Sequence, residues 1–314
     1  VSRVLNGYAG VEPKLVERVN RAVTESGYLP NPAGRALRRQ VSDLWNVIVP
    51  DFHVFFTTVI DAIEAAAMEN GFAVLISNTR ASLDYERRYI AAACAQRPAG
   101  AIVAVVSEHQ TDLGPLVDTG TPVVLLDRRV DGFSGDSVML DNDQAGRLAA
   151  EHLLDQGFRR LACVTGPADV SATEGRLRGF AGTLAAAGHV LAEEHIIHAD
   201  LQPAAGYRAV RHLLDLPQPP DAIYADAISL TLGAFQALTE RGGERLPAGL
   251  VGQDDDLWTE LVRPAVTVVR QPVAELGAVA ANQLLARVAG EAGPPVTLML
   301  QPDLAVRRSS LRTQ

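Results

Sequence analysis

The sequence predicts an α/β protein in which two doubly wound, parallel-sheet lobes follow one another behind a small helical head. Three observations carry that expectation. From Asn46 onward, short runs rich in Val, Ile, Leu and Ala alternate with helical patterns at a regular pace, which is the signature of parallel βαβ units. The series starts afresh near Asn142 and repeats its plan. The first 41 residues differ in charge and pattern from everything that follows.

In the first lobe the strands are expected at 46–50, 72–77, 101–106 and 123–127, with helices at 56–69, 83–96 and 112–119. These strands are nearly continuous apolar runs, as required when helices cover both faces of a parallel sheet. Gly71, Gly100 and Gly120 each fall between a helix and the next strand, where a left-handed cap is expected. The second lobe reads as helices at 144–156, 173–187, 204–214 and 230–241, alternating with strands at 161–165, 196–199, 222–225, 250–252 and 267–269. A helix at 273–289 and strand-like runs at 296–300 and 304–307 finish the chain. No biased linker separates the lobes, so crossings are placed near Asn142, Gln271 and Pro302. The first lobe then comprises 42–142 and 272–301, and the second 143–271 and 302–314. In open parallel sheets ligands lie beyond the carboxyl ends of the strands, so the cleft between two such lobes is the expected small-molecule site.

Composition excludes several classes. With 47% apolar and 5% aromatic residues in 314, the chain is long enough for substantial cores, yet no apolar run approaches the roughly 18 residues of a membrane span. No export leader is evident near the start, and Cys94 and Cys163 sit in no metal-ligand spacing, so a reducing cytoplasm is expected. The seven histidines show no paired spacing for zinc; of these only His53 is placed at the cleft mouth. A phosphate loop, a nucleophile elbow and a Cys–His pairing are all missing, so no cofactor and no catalysis are expected. The run Asp254–Asp256 is the one feature that keeps an enzyme among the alternatives. The net charge of −9 divides unevenly: residues 1–41 hold seven basic and three acidic side chains, net +4, which leaves −13 for the remainder. A basic head on an acidic body is the footprint of a phosphate-binding module joined to an effector domain.

The head opens Val1-Ser2-Arg3-Val4-Leu5-Asn6-Gly7, continues through an amphipathic run at 12–26, and then reads Gly27-Tyr28-Leu29-Pro30-Asn31-Pro32-Ala33-Gly34-Arg35-Ala36-Leu37-Arg38-Arg39. That order resembles the N-terminal region of LacI/GalR-type transcription regulators. The body adds markers in register, among them Val49-Pro50-Asp51, Leu126-Asp127-Arg128, Asp141-Asn142, Gly166-Pro167, Gly175-Arg176-Leu177-Arg178-Gly179-Phe180, Gly252-Gln253-Asp254-Asp255 and Arg270-Gln271-Pro272.

The resemblance implies a partial helix-turn-helix head at 1–30, a hinge at 31–41 and a periplasmic-binding-protein-like, bilobal body at 42–314. The head is expected to lack its leading helix and turn, and hence to bind operator DNA weakly. It implies that Ser2, Arg3 and Asn6 face base edges, while Asn31, Arg35, Leu37 and Arg38 serve the hinge, with Leu37 as a minor-groove wedge. In the cleft it implies effector contacts from Phe55, Phe56, Asp127, Arg128, Arg176 and Asp254, with Asp226 standing in where the family has an asparagine. Carboxylates beside a guanidinium suit a polyhydroxylated ligand, because bidentate donors and acceptors match vicinal hydroxyls. An ion pair between the lobes, built from Arg176 and Asp254, is the competing structural reading. Val170, Ala172, Ala227 and Leu201 replace polar or aromatic residues frequent in the family, so a less polar effector than a hexose is expected, a deoxy, acylated or aromatic sugar or a nucleoside, with no small-molecule effector as the remaining alternative. The reading as a whole is a ligand-responsive transcriptional regulator, a repressor rather than an activator, acting as a homodimer; the alternative is a transport-type sugar-binding protein of the same fold.

Overall fold

The computed structural model describes Val4, residues 11–26 and residues 41–312. The chain forms two compact units, Val1–Ser42 and Asp43–Gln314. Within the first, helix α1 (Pro13–Ser26) is amphipathic, with an i,i+4 ion pair between Glu17 and Arg21 at 2.9 Å. The hinge expected at 31–41, and Ser2, Arg3, Asn6, Asn31, Arg35, Leu37 and Arg38 with it, lie outside the described residues or at their edge.

The second unit holds two six-stranded sheets. The first is built by β1 (Ser42–Val49), α2 (Val54–Glu69), β2 (Ala73–Asn78), α3 (Leu83–Gln96), β3 (Pro98–Val103), α4 (Gly114–Asp118), β4 (Val123–Leu126) and β5 (Asp136–Leu140). The second follows with α5 (Asn142–Asp155), β6 (Leu161–Thr165), α6 (Ser171–Ala186), β7 (Ile196–His198), α7 (Pro203–Leu214), β8 (Ala222–Ala225), α8 (Ile228–Gly242), β9 (Gly249–Gln253), α9 (Leu257–Leu261) and β10 (Thr267–Arg270). The chain returns through α10 (Val273–Val288) to add β11 (Thr297–Leu300) to the first sheet, then crosses again to add β12 (Asp303–Ala305) to the second. The strand orders are β11-β5-β4-β3-β1-β2 and β12-β10-β9-β8-β6-β7, and β12 runs antiparallel to β10.

The apolar strands resolve into two alternating faces. On β1, Trp45, Val47 and Val49 join the core under α2 and α10, whereas Ile48 joins the core on the opposite face with Ile90, Ala101 and Leu116. Strand β3 splits likewise, Ile102 to one side and Ala101 and Val103 to the other. Each fully buried Val, Ile or Leu contributes about 1.5–3 kcal/mol relative to exposure, and each sheet has a layer of them on both faces.

Three expectations needed revision. Strand β5 lies where the sequence predicts no strand: it opens with Asp136 and Ser137, polar residues made tolerable only by tertiary partners. Asp136 accepts from Arg287 Nε at 2.5 Å and Nη2 at 2.8 Å, and Ser137 Oγ donates to Thr297 Oγ1 at 3.0 Å. Gly71 and Gly120 do adopt positive φ, but Gly100 lies inside β3, where a Cβ would fall 2.6 Å from the Leu284 side chain; the left-handed residue before that strand is Arg97. The short helix α9 has no counterpart among the helices that the sequence predicts.

Helix pairs are drawn together by reciprocal glycines. A Cβ at Gly146 on α5 would sit 1.9 Å from Arg176 O, and one at Gly179 on α6 would sit 2.0 Å from Asp143 O. Backbone therefore meets backbone where α5 crosses α6, which locks the position of the turn that carries Arg176. Gly179→Ala should force the pair apart and lower unfolding free energy by about 1–3 kcal/mol, the usual range for overpacking. Urea unfolding that matches the parent protein would refute this close approach.

Candidate functional site

Two aspartates end equivalent strands of the two sheets in an unusual backbone conformation. Asp127 follows β4 with φ 66°, and its amide donates to Val138 O on β5 at 3.0 Å; Asp254 follows β9 with φ 67°, and its amide donates to Val269 O on β10 at 2.9 Å. A left-handed residue other than glycine costs roughly 1–2 kcal/mol, and aspartate is among the side chains that tolerate it. In each case the turn aims a carboxylate out of the sheet at its carboxyl end, where ligands of such folds lie.

Between them stands Arg176, on the second turn of α6 and only 7% exposed. Its Nε donates to Asn142 Oδ1 at 2.8 Å and its Nη1 to the backbone oxygen of Asp226 at 2.7 Å. Burial works against its charge, and the fields of Tyr224, Asp254, Asp226 and Asp127 outweigh that and hold it protonated. The carboxyls respond in kind. Burial pushes Asp127 up, opposed by Arg128 and Arg176; burial pushes Asp254 up, opposed by Arg176 and by the Gln271 amide that hydrogen-bonds to it. Asp127 comes from the first lobe, and Arg176 and Asp254 from the second, so any charge pairing across the cleft involves Asp127 with Arg176 rather than Arg176 with Asp254.

The other sequence candidates divide. Arg128 donates through Nη1 to Val105 O at 3.0 Å and Val106 O at 3.2 Å and lies 3.8 Å from Asp127, while its Nε is buried without a partner among the described residues. Phe56 is a core residue under the first sheet; Phe55 is half-buried against that core and meets Phe56 edge-on at 4.9 Å. Asp226, expected at the ligand surface, is fully buried: Oδ2 accepts from Thr165 Oγ1 at 2.5 Å and Oδ1 from the Gly166 amide at 3.1 Å. It turns inward because the strand neighbours β6 and β8 place Thr165 and Gly166 within reach, and its contribution to the cleft is the carbonyl that holds Arg176. His53 is the exposed residue before α2. The three consecutive aspartates disperse: Asp254 faces Gln271, Asp255 pairs with Arg307 at 2.7 Å, and Asp256 accepts from the Leu257 amide at 2.6 Å. Among the described residues no cluster of His, Cys, Asp or Glu is arranged to hold a metal ion.

Sequence reasoning placed Asn142 and Gln271 at lobe crossings without seeing that their side chains belong to the site. Asn142 orients Arg176, and Gln271 donates to Asp254 while its Oε1 is buried without a partner among the described residues. Nearby, Asp141 and Gln301, from the first and third crossings, are joined at 3.1 Å. The chemistry offered is acceptor-rich: two carboxylates and an amide oxygen, against a guanidinium whose charge three carboxylates already meet.

Residues 45–299 match the family described as periplasmic binding proteins and the sugar-binding domain of the LacI family. The chain belongs to that family. Over nearly its full length it is similar to the HTH-type transcriptional regulator CelR of Thermobifida fusca, at 33% identity over 98% of this chain and 93% of that protein. The HTH-type transcriptional repressor CytR of Escherichia coli is 30% identical over 99% and 92%. Among solved structures, the transcriptional regulator CelR in complex with cellobiose has 31% identity and a TM-score of 0.79, covering 98% of this chain and 94% of that one. This LacI-family member is accordingly a transcriptional regulator, and the relatives it matches are regulators rather than enzymes. Among the described residues no helix is long and apolar enough to cross a membrane.

Burial raises the Asp226 carboxyl to about 6, with Arg176, Thr165 and Gly166 opposing the shift. The folded protein therefore holds this proton more tightly than the unfolded chain, whose carboxyl titrates near 4. Stability from this group is present below about pH 4 and is lost as pH rises through about 6, to the extent of roughly 1–3 kcal/mol. Asp226→Asn should remove that slope. Parallel urea titrations at pH 4 and pH 7.5 that show the same pH difference in both proteins would contradict it.

Proposed function

We propose that this regulator is an effector-responsive repressor that acts in the cytoplasm as a homodimer on operator DNA, and that its effector is an uncharged, hydroxyl-rich molecule held between the lobes. The observation that carries the reading is the convergence of Asp127 from one lobe with Arg176 and Asp254 from the other, beside the unpartnered Oε1 of Gln271. Carboxylates and an amide oxygen accept hydrogen bonds from hydroxyls, and the acidic groups around Arg176 disfavour a phosphorylated ligand. In this reading Asp127, Arg176, Asp254 and Arg128 contact the effector, half-buried Phe55 supplies an apolar wall, and Asp226 and Phe56 act from behind. That a similar regulator has been solved with cellobiose supports a saccharide or glycoside, and apolar Val170 and Ala172 in a loop that is often polar in the family favour one with an apolar portion.

For the partner subunit, edge strand β2 presents Leu75 and Ile76, 40% and 38% exposed, at the open border of the first sheet. An unpaired apolar edge of this kind favours a second copy. The DNA contacts remain those assigned to Ser2, Arg3 and Asn6 in the head and Asn31, Arg35, Leu37 and Arg38 in the hinge. Effector would alter lobe closure and with it the spacing of two hinges. Relatives that match almost end to end are regulators, which favours this reading over a transport-type binding protein.

Thermal melts against cellobiose, aryl glycosides, nucleosides and their phosphorylated counterparts should show stabilisation by neutral members only. Asp254→Asn keeps an acceptor for Gln271 and should abolish the ligand-dependent shift at little cost to the free protein. Arg176→Met should abolish the shift as well, and should also cost roughly 3–5 kcal/mol, because it strands buried carboxylates. A ligand shift preserved in Asp254→Asn would end the effector-site assignment. Leu37→Ala should weaken binding to a selected operator about tenfold or more while leaving effector binding intact. Gel shifts giving equal affinity across a salt series would remove the wedge.

A further inference from the structure

The helix that carries Arg176 lacks a cap of its own. At the residue before α6 stands Val170, extended at φ −110° and ψ 117°, whose side chain offers no acceptor to the amides of the first turn. The acceptor comes instead from the opposite lobe. Glu108, in the loop after β3, takes the Ser171 amide at 3.0 Å and the Ser171 hydroxyl at 2.7 Å, both on Oε1. It is only 8% exposed.

The loop that presents it is held from within the first lobe by a second carboxylate. Glu86, on α3 and fully buried, accepts the Val106 amide at 2.7 Å through Oε1 and the Thr111 hydroxyl at 2.6 Å through Oε2, so both ends of the 106–111 segment are tied to one side chain. The Glu108 backbone oxygen accepts the Asp131 amide at 2.9 Å, which fixes the segment from the other side. A carboxylate at a helix N-terminus is favoured twice, by charge-assisted hydrogen bonds and by the helix dipole.

We propose that Glu108 is a positioning residue: it caps α6 from across the cleft, so that ordering the first turn of α6, and with it the Arg176 guanidinium, is the same event as closing the lobes. Opening the lobes removes the cap from α6, and nothing in the second lobe at Val170 replaces it. The effector meaning of this device rests on the assignment of Arg176 above, but the cap itself does not.

The test uses the full chain without ligand, by amide and guanidinium hydrogen exchange in transverse-relaxation-optimised NMR, with melts recorded alongside. In Glu108→Ala the Ser171 amide should exchange about tenfold faster, in keeping with the loss of a helix cap, and the Arg176 Nε–H should also speed up. Glu108→Gln, which keeps an acceptor oxygen, should restore most of the protection. Ser171→Pro is the second arm: proline is well accepted at the first helical position, it removes both bonds to Glu108, and it leaves the first lobe untouched. It should accelerate the Arg176 Nε–H as much as Glu108→Ala, and the double variant should go no further. The proposal is overturned if Arg176 Nε–H exchange is unchanged in folded Ser171→Pro, or if Ser171 exchange is unchanged in folded Glu108→Ala. Because no effector enters the experiment, failure here and failure of the ligand assignment are separate results.

Discussion

One buried guanidinium organises the centre of this molecule. Arg176 is nearly shielded from water, and an uncompensated charge there would cost several kcal/mol, so its surroundings must supply both hydrogen bonds and opposite charge. Neutral acceptors, Asn142 Oδ1 and the Asp226 carbonyl, fix its direction. Carboxylates from both lobes supply the field. The close crossing at Gly146 and Gly179 then sets where on α6 the arginine can stand relative to α5, so packing decides the position and electrostatics decides the company.

The residues around Arg176 are also residues of the lobe crossings. Asn142 opens the first crossing, Gln271 sits on the second, and Gln301 on the third is bonded to Asp141 of the first. A molecule that displaces or engages Asp254 or Arg176 therefore acts on groups bonded directly to the crossings. Coupling between cleft and lobe geometry requires no long relay, since one hydrogen bond separates the two. The left-handed turns at Asp127 and Asp254 fit the same picture: a modest backbone cost, of about 1–2 kcal/mol each, is sustained by well-packed sheets beneath and brings a carboxylate from each lobe within the field of the same cation.

Much of this was legible in residue order. Strands β6 and β8 were expected at the bounds observed, because Leu161–Thr165 and Ala222–Ala225 are apolar runs closed by turn residues. Strand β5 was not, because Asp136 and Ser137 read as loop until Arg287 and Thr297, some 150 residues away, satisfy them. Asp127, Arg176 and Asp254 were named from the resemblance to a family, and strand-end placement agreed. Asp226 was misjudged, since nothing in the sequence says that Thr165 and Gly166 will turn its carboxylate inward. Glu108 gave no signal at all, as it lies in a loop where no periodicity operates.

The sequence by itself determined the periods, the polarity of each face, the order of the two lobes and the charge contrast between head and body, because those depend on neighbours within one or two turns of chain. Only the tertiary structure decided which polar groups meet. Asn142 with Arg176, Gln271 with Asp254 and Glu108 with Ser171 are pairings across 34, 17 and 63 positions: the first joins packed helices α5 and α6, the second the ends of neighbouring strands β9 and β10, and the third the two lobes. Burial then makes such pairings obligatory, since a polar group removed from water without a partner costs more than the bond returns.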